Sequence, residues 1–400
     1  MKRKVYTAAL FVLFEVIHIL EGKGAIYGIS IAQLWKIPVL LYFMYCLVKC
    51  DRRWFSFEKY SYLYSFENLF CPVILTYPFS IIIHASKQLP IVLFFNYWLS
   101  KFNVETLVRI LETLSQFILL SSAFVLLGII SPIYEFESAA MYGEGMTYYS
   151  GMFGAVHAAS SYFCGAMLVL IDGFLKGHFV SKKQKLFNGL LILIGVISLY
   201  KTFVRTGWLM FIIGCILLID WKKINFKNIH RYLLLFIGGI MVLIVLYETN
   251  PAIKARITEK GVYNKSTEIS IDGSGRFDYW RVSLENYTQN NWYGLLFGKG
   301  LEGVMSDMYN AIGHRLFSHN HFIDTLAQYG ALGFILLLLY CISIYRFIKI
   351  HGRGSPYQNL ARIFLMLYIV FAFFQSEVYF WYAAMFSLSL AIMYLTKEDK

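Results

Sequence analysis

Ser318-His319-Asn320-His321-Phe322-Ile323-Asp324-Thr325-Leu326-Ala327-Gln328-Tyr329-Gly330 runs without a break into Ala331-Leu332-Gly333-Phe334-Ile335-Leu336-Leu337-Leu338-Leu339-Tyr340. The second part is hydrocarbon-soluble, and the apolar run over 321–345 is long enough to cross a bilayer core of roughly 30 Å as a helix. The first part carries two imidazoles, two amides and a carboxylate. Side chains capable of chemistry therefore stand where a polar loop meets a membrane helix, and any reaction they support belongs at a membrane surface.

The rest of the chain agrees. Its 400 residues are 58% hydrophobic, 18% aromatic and 15% charged, with a mean hydropathy of +0.57. Soluble domains carry about 25% charged residues, so the composition excludes a water-soluble fold and predicts an all-α polytopic integral membrane protein. Counting apolar runs of near-spanning length predicts about twelve transmembrane helices, at 5–21, 28–48, 68–86, 88–100, 114–131, 152–172, 186–201, 203–220, 232–248, 321–345, 360–376 and 378–395. Residues 104–114 continue the fifth of these as an interfacial helix, with Val104, Leu107, Val108, Leu111 and Leu114 at helical spacing. Met1-Lys2-Arg3-Lys4 before the first run mimics a signal peptide, but Glu21-Gly22-Lys23-Gly24 is a poor cleavage site, and the segment reads as a retained helix. No repeat or low-complexity linker divides residues 1–400, which read as one membrane domain with a large loop at 249–318.

The net charge of +12 does not point to nucleic acid, because the basic residues alternate between loops as a topology signal. With the N-terminus inside, 23 Lys and Arg fall on the cytoplasmic side and four in short outside segments, with eight in the long loop and Lys36 inside a helix. That bias puts both termini in the cytoplasm and the long loop outside. All six cysteines lie in or beside apolar segments, which argues against disulfides and against a cysteine-held metal.

Within the long loop, Arg276–Asn290 places Phe277, Trp280, Leu284 and Tyr287 on one helical face, with Ser274 positioned to cap it. Gly294, Gly298 and Gly300 break the pattern, and a second short helix fits 301–312. Five residue groups carry candidate chemistry. Arg205 opens the eighth predicted helix from outside and reads either as a snorkelling cation or as an anion ligand aided by the helix field. Arg276 reads as a solvated loop cation or, at a helix start, as part of an anion site. Arg281 and Arg315 have less around them to fix a position. His319 and Asn320 stand at the entrance of the tenth helix beside His321 and Asp324, and the spacing of His314, His319 and His321 matches no zinc motif. Glu15, His18, Lys36, Glu67 and Glu377 need partners or water at membrane depth. Glu67 and Glu377 fall at helix ends and read as solvated interfacial carboxylates.

Val204-Arg205-Thr206-Gly207-Trp208, then Ser274-Gly275-Arg276-x3-Trp280, the turn Gly298-Lys299-Gly300, and His319-Asn320-x-Phe322-x3-Leu326-x3-Gly330-x2-Gly333 occur in that order. This pattern, with Tyr149-Ser150-Gly151-Met152-Phe153 before a mid-chain helix, resembles the O-antigen polymerase and O-antigen ligase family. The resemblance implies a membrane glycosyltransferase of the bacterial plasma membrane with its site on the outer face. It implies a glycan donor on undecaprenyl diphosphate, a lipid-borne acceptor, and neither a metal nor any other cofactor. It further implies that Arg205 and Arg276 hold the donor diphosphate and that His319 orients or deprotonates the acceptor hydroxyl. Asn320, Asp324, Trp280 and Arg315 are then expected as substrate-binding residues. Implied partners are the lipid-linked oligosaccharide, membrane lipid, a chain-length regulator and a flippase.

The chemistry is consistent with those residue types. Guanidiniums stabilise charge on a leaving diphosphate without a metal, and an imidazole accepts the acceptor proton. The expected function is O-antigen or capsule polymerase, with a ligase moving finished polymer to lipid A-core as the alternative. A transporter or flippase would instead depend on Glu15, Lys36 and Glu377.

Overall fold

The computed structural model describes residues 54–71, 84–85, 87–130, 150–153, 155–219, 276–313, 315–375 and 379–398, with positions 41–42, 44–45 and 48 and two short strand pairs. The pairs are antiparallel: β1 (Ala25–Ile26) with β2 (Ile29–Ser30), and β3 (Glu135–Glu137) with β4 (Thr147–Tyr149). Everything else that is regular is helical. The helices are α1 (Ser56–Phe66), α2 (Pro90–Lys101), α3 (Val104–Leu126), α4 (Val156–Leu175), α5 (Lys182–Lys201) and α6 (Arg205–Leu218), then α7 (Arg276–Thr288), α8 (Trp292–Phe297), α9 (Gly300–Ile312), α10 (His321–His351), α11 (Gln358–Phe374) and α12 (Phe380–Glu398). A 3-10 turn, Glu67–Phe70, extends α1.

The expected count of about twelve membrane spans is corrected. Among the described residues four helices are long and apolar enough to cross a membrane: α3, α4, α5 and α10. The apolar runs 88–100, 203–220 and 360–376 become α2, α6 and α11, helices of 12, 14 and 17 residues, shorter than the ~20 a span needs. The run 378–395 becomes α12, whose Met385, Phe386, Leu388, Leu390 and Ile392 are fully enclosed. It is apolar because it fills the bundle, and hydropathy does not distinguish burial in protein from burial in lipid. The expected spans 5–21 and 232–248 lie outside the described residues, as do most of 28–48 and 68–86, Ser274 and Gly275 and loop residues 249–275. The protein is a polytopic membrane protein with several apolar spans.

α4 is the central post, buried along most of its length. α3, α5, α6 and α12 pack on it. α5, by contrast, exposes Leu186, Phe187, Leu190, Leu193 and Ile197, the composition of a lipid-facing surface. Small and polar residues join the posts where helices come close. Ser122 Oγ meets Ser198 Oγ at 2.5 Å, Gln116 donates to Asn188 at 2.8 Å, and Asn96 donates to Glu58 at 2.5 Å. A Cβ on Gly195 would fall 2.6 Å from Met167 Cγ, so only glycine lets α5 approach α4 this closely.

α10 is one element with a break. Asn320 caps it, accepting from the N–H groups of Phe322 and Ile323. At Gly330 the backbone leaves helical geometry at φ 68°, ψ −169°. The carbonyls released there are taken by neighbours: Ala327 O accepts from Lys299 N at 3.3 Å and Gln328 O from Cys71 Sγ at 3.7 Å. The turn after α8 fills the notch, with Gly298 against Gln328 and Gly330 against Leu296, backbone on backbone.

α7 forms where the sequence placed a helix, and the side it buries in the bundle is the one bearing Tyr279 and Ser283. Tyr279 and Ser283 are inside, whereas Phe277 is 59% exposed. The face is chosen by α9 and α10, which pack on α7. Phe277 and Leu284 turn outward, away from the bundle.

Candidate active site

One end of the bundle collects the C-terminus of α1, the start of α4, the α5–α6 turn, the start of α10 and the end of α11. α10 runs antiparallel to α1, with Phe57 beside Phe347 at one end and the Tyr64 hydroxyl 2.9 Å from Thr325 Oγ1 at the other. α6 runs parallel to α4, since Gly207 lies on Ser160 and Gly214 on Leu168. His157, in the first turn of α4, meets Gln375 Nε2 at 3.0 Å, and Gln375 O accepts the His321 N–H at 3.1 Å. Arg205, the first residue of α6, therefore stands at the same end as His319.

His319 is held by its neighbours more than by its own contacts. Ser318 is fully buried; its N–H donates to Asp324 Oδ1 at 2.9 Å and its carbonyl accepts from Trp280 Nε1 at 2.9 Å. Trp280 in turn packs edge-on against Phe373 of α11, 5.4 Å between centroids. With Ser318 clamped on one side and Asn320 capping α10 on the other, His319 adopts a left-handed conformation at φ 58°. The other non-glycine residue with positive φ among those described is Phe203, two positions before Arg205. Such backbone costs of the order of 1–3 kcal/mol and concentrates at functional sites.

Arg276 begins α7 beside His319. Burial, and then the Arg276 charge, push the His319 imidazole down to about 4. The ring is neutral at neutral pH and able to accept a proton. Tyr279 lies over the same ring, 6.5 Å between centroids. His321 is different: it is 5% exposed, and its Nε2 is spent on the Tyr64 hydroxyl at 3.3 Å. Of the two imidazoles flanking Asn320, His319 is the one left partly accessible and electrostatically coupled to an arginine.

Replacing Arg276 with Gln removes a positive charge from beside the imidazole, so the His319 pKa rises above about 4 while burial still holds it below its ordinary value. Histidine-selective NMR titration reads this directly, and an unmoved titration would separate the two side chains.

The remaining expected residues have assigned contacts. Asn320 is 2% exposed and its amide oxygen caps α10; Asp324 is 2% exposed and holds Ser318. Arg315 is exposed and paired with Glu302 of α9. Arg281 is exposed and paired with Asp278 at 3.2 Å. Sequence reading missed His157, Gln375, Tyr64 and Tyr279, which lie on elements whose approach to His319 no local pattern signals. It also placed Glu67 in solvent, whereas Glu67 is 3% exposed. Glu377, Glu15, His18, Lys36 and His314 lie outside the described residues. Among the described residues no group of three or more His, Cys, Asp or Glu is arranged to hold a metal ion.

Comparison with curated proteins finds no match to the chain. Residues 190–338 match the family described as O-antigen ligase. That segment runs from α5 into α10 and contains Arg205, Arg276, Trp280, Arg315, His319, Asn320 and Asp324. The match spans less than half of the 400 residues, and over that stretch the chain is similar to the O-antigen ligase family.

Proposed function

We propose that this protein is a membrane glycosyltransferase of the ligase type, moving a glycan from a polyprenyl diphosphate donor to a lipid-borne acceptor such as lipid A-core. The observation that carries the proposal is the pairing of a neutral, partly accessible His319 with Arg276 at the polar end of the bundle, inside the family-matched segment. The family description favours a ligase over the polymerase expected from sequence alone.

In this reading Arg276 and Arg205 hold the diphosphate, and the N-terminal ends of α6 and α7 add a favourable field. The acceptor hydroxyl attacks the anomeric carbon, the carbon–oxygen bond to the diphosphate breaks, and His319 takes the hydroxyl proton. The diphosphate leaves as an anion stabilised by guanidinium. Its charge also offsets that of Arg276, so donor binding raises the basicity of His319 when a base is needed. In this reading the end of the bundle that carries His319 faces outward, a side that the Lys and Arg bias of the loops supports.

A deletion strain complemented with wild type or with Arg276→Ala tests the reading, with membrane protein levels matched. The expected result is polymer on lipid A-core with wild type, and polymer accumulating on the lipid carrier with the variant. Single repeat units with the variant would instead mark a polymerase. An unchanged glycan profile would remove Arg276 from the reaction.

A further inference from the structure

Glu67 lies directly beneath this end of the bundle. Its side chain is buried, and neither carboxyl oxygen has a hydrogen-bond partner. It lies against the second half of α10 just past the break: a Cβ on Gly333 would sit 3.3 Å from Glu67 Cδ. His84 Nε2 lies 3.9 Å from Oε1. That nitrogen is 2.9 Å from the Tyr64 carbonyl, and since a carbonyl only accepts, the His84 N–H is already spent there. Among the described residues, the titratable groups around the carboxyl are Tyr64 on α1, Cys71, His84 with Lys87 beyond it, and Tyr329, His321, Asp324 and Cys341 on α10. None donates a hydrogen bond to Glu67.

A carboxylate in that position would be a desolvated charge with no compensating donor. The N-terminal field of the second half of α10 favours the anion, but this is the smaller effect beside full burial. The ligand that removes the charge and fits the space is a proton.

We propose that Glu67, backed by His84, is a buried proton-binding site, and that its bound proton keeps the 3-10 turn packed against the break in α10 beneath His319. Burial alone raises the Glu67 carboxyl to about 9, so the site is filled at neutral pH and empties on the alkaline side. Emptying it places a charge between the turn and α10. Because Tyr64 joins this turn to His321 and Thr325, the disturbance reaches the first turn of α10. Its effect on transfer rests on the glycosyltransferase reading, whereas the presence of the proton does not.

Infrared difference spectroscopy of the purified full-length protein in lipid is the test. At neutral pH the wild type is expected to show the carbonyl stretch of a protonated, non-hydrogen-bonded carboxylic acid, which disappears as pH rises through about 9. Glu67→Gln is expected to lack the band, keep transfer at neutral pH and lose the alkaline decline. Labelling glutamate with carbon-13 in the wild type moves the band and identifies it without any variant, should Glu67→Gln fail to fold. A neutral-pH spectrum that is the same in wild type and Glu67→Gln, or lacks a label-sensitive acid band, overturns the proposal. A band that titrates as expected in a protein with no transferase activity sinks the function and leaves the proton site standing.

Discussion

Replacing His319 with glycine lowers glycan transfer by about 10²–10⁴-fold, the range of a lost general base, while leaving the fold at least as stable as the wild type. The two halves of that expectation come from different facts. The imidazole is neutral at neutral pH and beside Arg276, so its removal costs the proton acceptor. The backbone at 319 has φ 58°, a conformation glycine adopts without strain, so Gly relieves part of the ~1–3 kcal/mol held there. His319→Ala removes the same base but keeps the strain. A residue with only a structural role would behave differently: Gly would be tolerated in activity as well as in stability. Single-turnover transfer by purified protein, with thermal unfolding measured alongside, separates the cases. Wild-type transfer by the glycine variant would end the base assignment.

The second large effect is on folding. Gly330→Ala places a methyl group into the Leu296 and Phe297 backbone, at a position with φ 68°. Neither obstacle is a side chain that can rotate away. Left-handed strain and overpacking add, for a loss of roughly 3–5 kcal/mol. Gly354→Ala is the control: φ there is 89°, but nothing lies within 4 Å of the added Cβ, so only the backbone cost of roughly 1–2 kcal/mol remains. Thermal unfolding in detergent should rank Gly330→Ala well below Gly354→Ala and wild type. Equal stability of the two variants would mean that α8 does not lock the break. The lock has a functional consequence, because the broken first third of α10 carries Asn320, Asp324 and the clamp on Ser318.

The membrane class and most helix positions follow from local composition, since apolar runs of helical length form helices wherever they are buried. The run at 321–345 is legible for that reason, and so is the change from polar to apolar character at its start. Span count is not legible in the same way. α12 and α2 are as apolar as a span because they fill the centre of the bundle, and a hydropathy sum treats a Leu facing Phe and a Leu facing lipid alike. Nor does the sequence decide which face of α7 is buried: the face bearing Phe277 suits a membrane surface as well as a bundle, and α9 and α10 claim the side bearing Tyr279 and Ser283.

Arginine at helix starts and a His-Asn pair before a membrane helix are visible in the chain, because residue type and spacing alone suggest anion binding and proton transfer. Which imidazole is accessible is not visible. His319 and His321 differ in exposure because Tyr64, some 250 residues away, takes the Nε2 of one of them. The burial of Glu67 has the same origin. At the end of a short helix it reads as solvated, and it loses water only when the segment after the α10 break closes over it. Local sequence sets which groups are available; long-range packing sets which of them keep water, and burial is what separates a reactive base from a filled hydrogen bond.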